Sequence, residues 1–138
     1  MALTDFVLPT EEVSFPGGSF AVRGLSLEDI TVLLTSHGPA MEQFFKKYSG
    51  SPDESSPMEI GMNLVAQAPA VAAQIIALAA DEPEKANVVR KMNLAVQQVA
   101  LEKIAKLTFD ASGGPGKFVE AVIRLVQGTT NLKGSLQR

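Results

Sequence analysis

His37 is the only histidine in the sequence, which contains no cysteine. An ordinary zinc site needs several histidine or cysteine ligands, so it cannot be built around one imidazole. A Ser-His-Asp triad would also need this histidine, but Gly38 and Pro39 directly after it mark a junction between two helices. We therefore predict no metal site, no cofactor site and no catalytic residue here. The imidazole is expected to bond a free carbonyl at a helix end.

The segment from Gly113 to Lys117 reads Gly-Gly-Pro-Gly-Lys, which invites comparison with a phosphate-binding loop. That loop requires an earlier glycine, a serine or threonine after the lysine, and a preceding strand. Ala111 stands in the place of the first glycine, Phe118 follows the lysine, and a predicted helix precedes. The segment is therefore predicted to be a turn between two helices, with Pro115 at the start of the second.

Acidic residues occur in small groups that could in principle supply acid-base chemistry. These groups are Glu11 and Glu12, Glu28 and Asp29, Asp53 and Glu54, and Asp81, Glu82 and Glu84. Each group lies at a predicted helix start, turn or linker, where capping and solvation explain the charge. None is predicted to lie on an apolar face, where burial would raise its pKa. We therefore expect a protein that is not an enzyme.

The length and charge of the chain indicate a single domain that does not bind nucleic acid. It has 138 residues, the size of one domain, and a formal net charge of -3. Its lysines and arginines are scattered, so there is no electrostatic footprint for nucleic acid. The lack of cysteine fits a reducing compartment, and residues 1–9 lack the basic and apolar regions of a secretory signal.

Residues 62–80 form the most apolar stretch and approach the length of roughly 20 residues that a membrane span needs. The stretch contains Asn63, Gln67, Pro69 and Gln74, and alanine supplies much of its bulk. A buried or interface helix is therefore predicted, and no membrane partner is expected.

The predicted secondary-structure elements indicate a mainly α fold. It would be a small multi-helix domain with a short N-terminal β-hairpin. The predicted organisation is a single domain over 1–138, with a hairpin at 11–24, a helix pair at 26–48, a flexible linker at 49–57, a helical bundle at 58–127 and a loose tail at 128–138.

Local signals set these boundaries. Pro16, Gly17 and Gly18 predict the hairpin turn, because glycine supplies the positive φ of a tight reversal. Ser26 is a predicted helix cap. Pro69 should interrupt the apolar helix, since it lacks an amide and clashes with the preceding turn.

The last two predicted helices have unusually wide apolar arcs. One runs from Leu94 to about Thr108 behind a cap at Asn93, and the other from about Pro115 to Gln127. At 100° per residue, apolar side chains cover about half of each helix. Two interpretations are open and compatible: a core with several layers, or a surface that holds a partner.

Two runs of residues resemble phage proteins with a known role. The first run comprises Phe20-Ala-Val-Arg-Gly-Leu-Ser-Leu-Glu-Asp-Ile30, Leu33-Leu34, His37-Gly-Pro39, Met41-Glu42 and Phe44-Phe45. The second comprises Val96-Gln97, Ala100-Leu-Glu102, Ile104, Leu107-Thr-Phe109 and Lys117-Phe118. Together they resemble the tail assembly chaperones of long-tailed (siphophage-like) bacteriophages and prophages over most of residues 13–127. The sequence departs from that pattern at Met92-Asn93, where a proline is common.

The resemblance implies a small helical protein without enzymatic activity. It would bind and solubilise the tape-measure protein in the host cytoplasm, self-associate, leave as tail-tube protein polymerises, and be absent from the mature virion. An apolar groove rimmed by charge, which an amphipathic helix can enter, suits that role. The residues expected to bind the partner are Leu94, Leu101, Ile104, Leu107, Phe118, Val122, Ile123 and Val126.

An alternative function remains open, that of a structural virion component such as a neck, tail-terminator or minor tail protein. A structural component would be present in the purified particle in fixed copies, whereas a chaperone would be absent from it.

Overall fold

The structure of the chain is a computed structural model. It describes residue 3 and residues 6–48, 57–114, 116–118, 120–122 and 124–125. Residues 49–56 of the predicted linker and the predicted tail at 128–138 lie outside the described residues.

The chain begins with an antiparallel hairpin of β1 (Thr10–Phe15) and β2 (Gly18–Arg23). Thr10 pairs with Arg23 at the open end, and Phe15 pairs with Gly18 next to the turn. Gly17 takes the positive φ of 97° that the turn needs. One face of the hairpin is fully buried at Val13 and Val22, as expected from the alternation of side chains along a strand.

Helix α1 (Leu27–Tyr48) joins the predicted pair of helices across a kink. His37 has non-helical angles, φ -136° and ψ 34°, and Pro39 follows inside the helix. The kink arises because proline has no amide to donate and its ring crowds the preceding turn. At the start, the Ser26 hydroxyl accepts from the Asp29 amide at 3.2 Å, while the Asp29 carboxylate accepts from the Ser26 amide at 2.8 Å. This reciprocal arrangement confirms the helix cap predicted at Ser26.

Helices α2 (Pro57–Gln67) and α3 (Pro69–Ala79) follow each other directly. Pro69 stands at the start of α3, so the predicted interruption of the apolar stretch occurs there. Most of α3 is buried, from Val71 to Ala79, with Gln74 half-buried. Helix α3 contacts α1, α2, α4 and α5, which makes it the centre of the core.

A short 3-10 turn (Pro83–Lys85) leads into α4 (Ala86–Arg90) and then α5 (Leu94–Ser112). The Asn93 side chain accepts from the Ala95 amide at 2.9 Å and caps α5 as predicted. The predicted end near Thr108 is wrong, because α5 continues to Ser112 and stops at Gly113, whose φ is 86°. Left-handed glycine is the usual helix terminator, and nothing before it breaks the helical pattern.

Beyond the glycines, the backbone is helical at 116–118, 120–122 and 124–125, which we call α6. The mainly α fold with a short N-terminal hairpin is therefore confirmed. Among the described residues, no helix combines the length and apolar character that a membrane span requires.

Candidate functional site

The residues predicted to bind a partner lie in different environments. Leu101, Ile104 and Val122 are buried in the core, whereas Leu107 and Phe118 are half-buried and Leu94 is exposed. Ile123 and Val126 lie outside the described residues. The six described residues of the predicted set therefore do not form one exposed surface.

The wide apolar arc of α5 is explained by its neighbours. Both hairpin strands and the helices α2 and α3 contact α5, so most of its circumference faces other elements. A Cβ at Gly61 on α2 would lie 3.0 Å from the Leu101 Cβ, which shows how closely these two helices approach. The solvent-exposed strip of α5 contains Ala95, Val99, Glu102, Lys106 and Asp110. For the buried residues of α5, the core interpretation of the arc holds in this structure.

The predicted interpretation of the acidic residues is incomplete at Asp29. Its side chain is buried, and its carboxylate forms an ion pair with the Arg23 guanidinium at 2.6 Å. Arg23 also donates to the Asp81 carboxylate at 3.0 Å and to the carbonyl of Leu78 at 3.1 Å. These four residues, which we call the Arg23 clamp, tie the hairpin to the start of α1 and the end of α3.

The electrostatics of the Arg23 clamp favour the charged forms. Burial alone would raise the pKa of Asp29, but the hydrogen bonds from Arg23 and Ser26 and the positive charge of Arg23 lower it below its ordinary value of 3.8. Hydrogen bonds to Asp29 and then Asp81 raise the pKa of Arg23, against a smaller effect of burial. The buried carboxylate therefore stays ionised and paired, which is a structural role rather than that of a proton donor.

The hairpin and α3, which the Arg23 clamp joins, form two walls of a groove of about 310 Å³. Its floor and sides are mainly apolar, and two charged residues stand at its rim. The lining residues are Phe15, Ser19, Phe20, Ile76, Ala77, Ala80, Glu82, Lys85, Val88, Val89 and Met92. We call this the hairpin–α4 groove.

The hairpin wall of this groove is aromatic. The rings of Phe15 and Phe20 lie with centroids 6.0 Å apart and planes tilted by 41°. A Cβ at Gly18 would lie 3.1 Å from the tip of the Phe15 ring, so glycine is what lets this ring fold across the turn. Phe15 is still exposed on its outer side, which leaves an aromatic edge open at the mouth of the groove.

The helical wall consists of the end of α3 and the short helix α4. Ile76 and Val89 are buried beneath the surface, while Val88 is exposed at the mouth. The Gln97 amide of α5 donates to the carbonyls of Val89 at 2.7 Å and Met92 at 3.4 Å, which fixes the turn between α4 and α5. Exposed Glu82 and Lys85 supply the polar rim.

The lining and rim of the hairpin–α4 groove are suited to binding. An apolar cavity with a charged rim is suited to receiving the apolar side chains of a partner. Within the described ranges, no group of three or more histidine and acidic side chains is placed to hold a metal ion.

One comparison with known proteins identifies the family. A family model described as pre-tape measure protein matches residues 1–138. The chain belongs to the pre-tape measure protein family. No curated protein and no solved structure matched the chain.

Membership of the pre-tape measure family gives the chain a role in phage tail assembly that is linked to the tape measure protein. The resemblance to tail assembly proteins predicted from the two runs is confirmed at that level. The hairpin–α4 groove contains none of the residues predicted to bind a partner, so the sequence did not indicate this apolar surface.

The groove could have been suspected from some of its residues. Phe15 and Phe20 flank the predicted Pro-Gly-Gly turn, and a short hairpin cannot bury two aromatic rings by itself. The sequence pattern assigns Val88 and Met92 to no particular surface. Their meeting with the hairpin depends on contacts between residues 15–20 and 76–92, which helical periodicity does not encode.

Proposed function

We propose that the chain is a tail assembly chaperone that binds the tape-measure protein and keeps it soluble until the tail is built. It acts without enzymatic activity, in the cytoplasm of the bacterial host, and is absent from the mature virion. The observation that carries the proposal is an apolar groove with a charged rim, the hairpin–α4 groove, on a chain whose family is linked to the tape measure protein.

The size of the groove suits a client that must be held and later released. Its volume of about 310 Å³ is at the lower end of the range of roughly 300–1,000 Å³ found for ligand pockets. It therefore admits a few apolar side chains from one face of an amphipathic helix rather than a whole helix. Each contact is weak, and a long client gains stable binding by engaging many copies at once.

The contacts of the buried charges agree with a role that involves no catalysis. Asp29 and Arg23 are engaged with each other and with backbone groups in the Arg23 clamp. They hold the walls of the groove in place and do not line it.

The proposal is tested by co-expressing the chain with the tape-measure protein of the same phage and measuring how much of that client stays soluble. Val88→Asp places a charge at the mouth of the hairpin–α4 groove and should reduce the soluble client about tenfold or more. Val88 is 53% exposed, so the fold should tolerate the change.

Val99→Asp is the matched control. Val99 is also a helical valine, 41% exposed, but lies on the outer strip of α5 and does not line the groove. This variant should keep the client as soluble as the original chain does. If folded Val88→Asp solubilised the client as well as Val99→Asp, the groove would not be the binding surface.

A further inference from the structure

The sheet in the described part of the chain has two strands, so each strand has an outer edge without a neighbouring strand. In an antiparallel pair, every second residue directs its backbone N–H and C=O away from the partner strand. The turn between Phe15 and Gly18 has two residues, so that pair is hydrogen-bonded and the next pair, Ser14 and Ser19, is not. The outward-facing residues of β2 are therefore Ser19 and Ala21.

The outer edge of β1 is protected by charge. The Lys103 ammonium, on α5, donates to the backbone carbonyl of Glu12, which is an outward-facing group of this strand. Glu11 and Glu12 also give β1 two negative charges. A lysine at the edge and charged side chains on the strand are common means by which proteins prevent a further strand from pairing. This edge is therefore not suited to receive a strand.

The outer edge of β2 has no such protection. Residues 18–22 read Gly-Ser-Phe-Ala-Val and carry no charged side chain, and Ser19 and Ala21 are exposed. Within the part of the chain that the structure describes, the outward N–H and C=O groups of these two residues have no hydrogen-bond partner. An exposed edge with unpaired backbone groups is a template for an added strand.

The hairpin–α4 groove borders this same edge. Ser19 and Phe20 line it on β2, and Ala77 and Val88 line it on the helical wall. The Ser19 hydroxyl donates to the Glu12 carboxylate at 2.7 Å, on the hairpin face opposite Phe20, so Ser19 borders the groove with its backbone. A strand added to β2 would therefore lie over the groove.

The strand edge and the groove together define the chemistry of the ligand. Side chains directly opposite each other in paired strands lie on the same face, so residues opposite Gly18 and Phe20 would direct their side chains into the groove. Its apolar lining and its volume of about 310 Å³ suit a few apolar side chains at alternate positions. An amphipathic helix also presents apolar side chains, but its backbone groups are bonded within the helix and would leave the edge of β2 unpaired.

We propose that the client binds as an extended segment that adds a third strand to the outer edge of β2 and inserts alternate apolar side chains into the hairpin–α4 groove. This inference rests on the proposed chaperone function and names the form of client that the groove takes. Backbone hydrogen bonds do not depend on the side chains of the ligand, so many segments of a long client can bind. The site selects stretches of the client that are not helical.

The probes are short overlapping peptides that together cover the tape-measure protein of the same phage. The peptides that bind the full-length chain should carry apolar residues at alternate positions. The tightest of them is then remade in two forms, each with N-methyl groups on one of the two alternating sets of backbone amides. The form that is methylated on the set facing β2 should bind about tenfold more weakly or worse, and the other form should bind like the parent peptide.

Two proline variants make a matched test on the chain. Ala21→Pro removes an outward N–H of β2 and keeps the bonds between the strands, because proline is tolerated at an edge position whose N–H faces solvent. It should raise the dissociation constant of the tightest peptide about tenfold or more. Ser14→Pro makes the same change on the outer edge of β1 and should leave binding unchanged. Thermal unfolding checks that both variants keep the fold.

Amide exchange in the unmodified chain gives a result that depends on no variant. In the complex with the tightest peptide, the amides of Ser19 and Ala21 should exchange more slowly, because the added strand bonds to this edge. The amide of Ser14 should exchange as it does in the free chain. Peptide binding without protection at Ser19 and Ala21 would overturn the proposal, as would equal affinity of the two folded proline variants.

Failure of this inference is distinguishable from failure of the proposed function. If Val88→Asp loses the client while Ala21→Pro still solubilises it, strand addition is wrong and the chaperone function stands. If the peptides bind with protection at Ala21 but the chain does not solubilise the client, the strand site stands and the chaperone function is wrong. Dimerisation of the chain alone that Ala21→Pro abolishes would make a second copy the occupant of this edge and would also overturn the proposal.

Discussion

At the scale of single residues, the most consequential feature is the pairing of Arg23 with buried Asp29. The sequence indicated the local role of Asp29, because an acidic residue in the first turn of a helix is expected to cap it. The pairing with Arg23 was not predictable in the same way. It depends on how the hairpin packs on α1 and α3, and an arginine at a strand end carries no local signal of its future partner.

The lowered pKa of Asp29 predicts a specific pH dependence of stability. Because the folded pKa lies below the ordinary value of 3.8, the unfolded chain binds a proton more readily than the folded one. The stabilisation is therefore present above about pH 4 and is lost as the pH falls through the folded pKa. Asp29→Asn should lower the free energy of unfolding by about 1–2 kcal/mol at pH 6, the difference between a charged and a neutral hydrogen bond.

Urea unfolding at pH 6 and at pH 3 checks this expectation. The gap between the original chain and Asp29→Asn should narrow at the lower pH. Asp81→Asn is the control, because Asp81 is the exposed partner of Arg23 and exposed ion pairs contribute only about 0–1 kcal/mol. A gap of equal size at both pH values would show that ionisation of Asp29 does not stabilise the fold.

At the scale of elements, local chemistry predicted most boundaries and packing decided the rest. The hairpin turn, the caps at Ser26 and Asn93 and the interruption at Pro69 each follow from a short motif. The sequence could not show how much of the wide apolar arc of α5 is core and how much is a binding surface. Periodicity indicates which face of a helix is apolar, but not how many other elements cover that face. The hairpin, α2 and α3 all contact α5, and Leu101 and Ile104 of the predicted binding residues are buried.

The contact between α2 and α5 predicts different effects for alanine at two glycines. Glycine to alanine inside a helix normally stabilises by roughly 0.5–1 kcal/mol. Gly38 lies at the kink of α1 directly before Pro39, where a residue with a Cβ is disfavoured in the helical conformation, so Gly38→Ala should give little of that gain. Gly61→Ala places its Cβ 3.0 Å from the Leu101 Cβ and should destabilise by about 1–3 kcal/mol, because the two helices must move apart.

Thermal unfolding of both glycine variants measures this difference, with the pair serving as each other's control. The melting temperature of Gly61→Ala should fall below that of the original chain, whereas that of Gly38→Ala should change little. An increase for Gly61→Ala would mean that α2 does not approach α5 as closely as the structure places it.

At the scale of the whole molecule, fold class and family followed from patterns spread over the sequence, whereas the groove did not. The helical periods and the hairpin are repeated local signals, and the two quoted runs extend over most of the chain. The hairpin–α4 groove is instead made by the meeting of a turn at 15–20 with helices at 76–92. That meeting is a property of the tertiary fold, stabilised in part by the Arg23 clamp.

Hydrogen–deuterium exchange with and without the tape-measure protein would locate client binding on the whole molecule. If the client enters the hairpin–α4 groove, amides in the hairpin turn and in α4 should exchange more slowly in the complex, because both become covered. The strip of α5 that contains Val99, Glu102 and Lys106 should be unchanged, since it is exposed and does not line the groove. Amides around buried Leu101 should exchange slowly in both states. Protection confined to α5 and α6 would instead return client binding to the surface first predicted around Leu94 and Phe118.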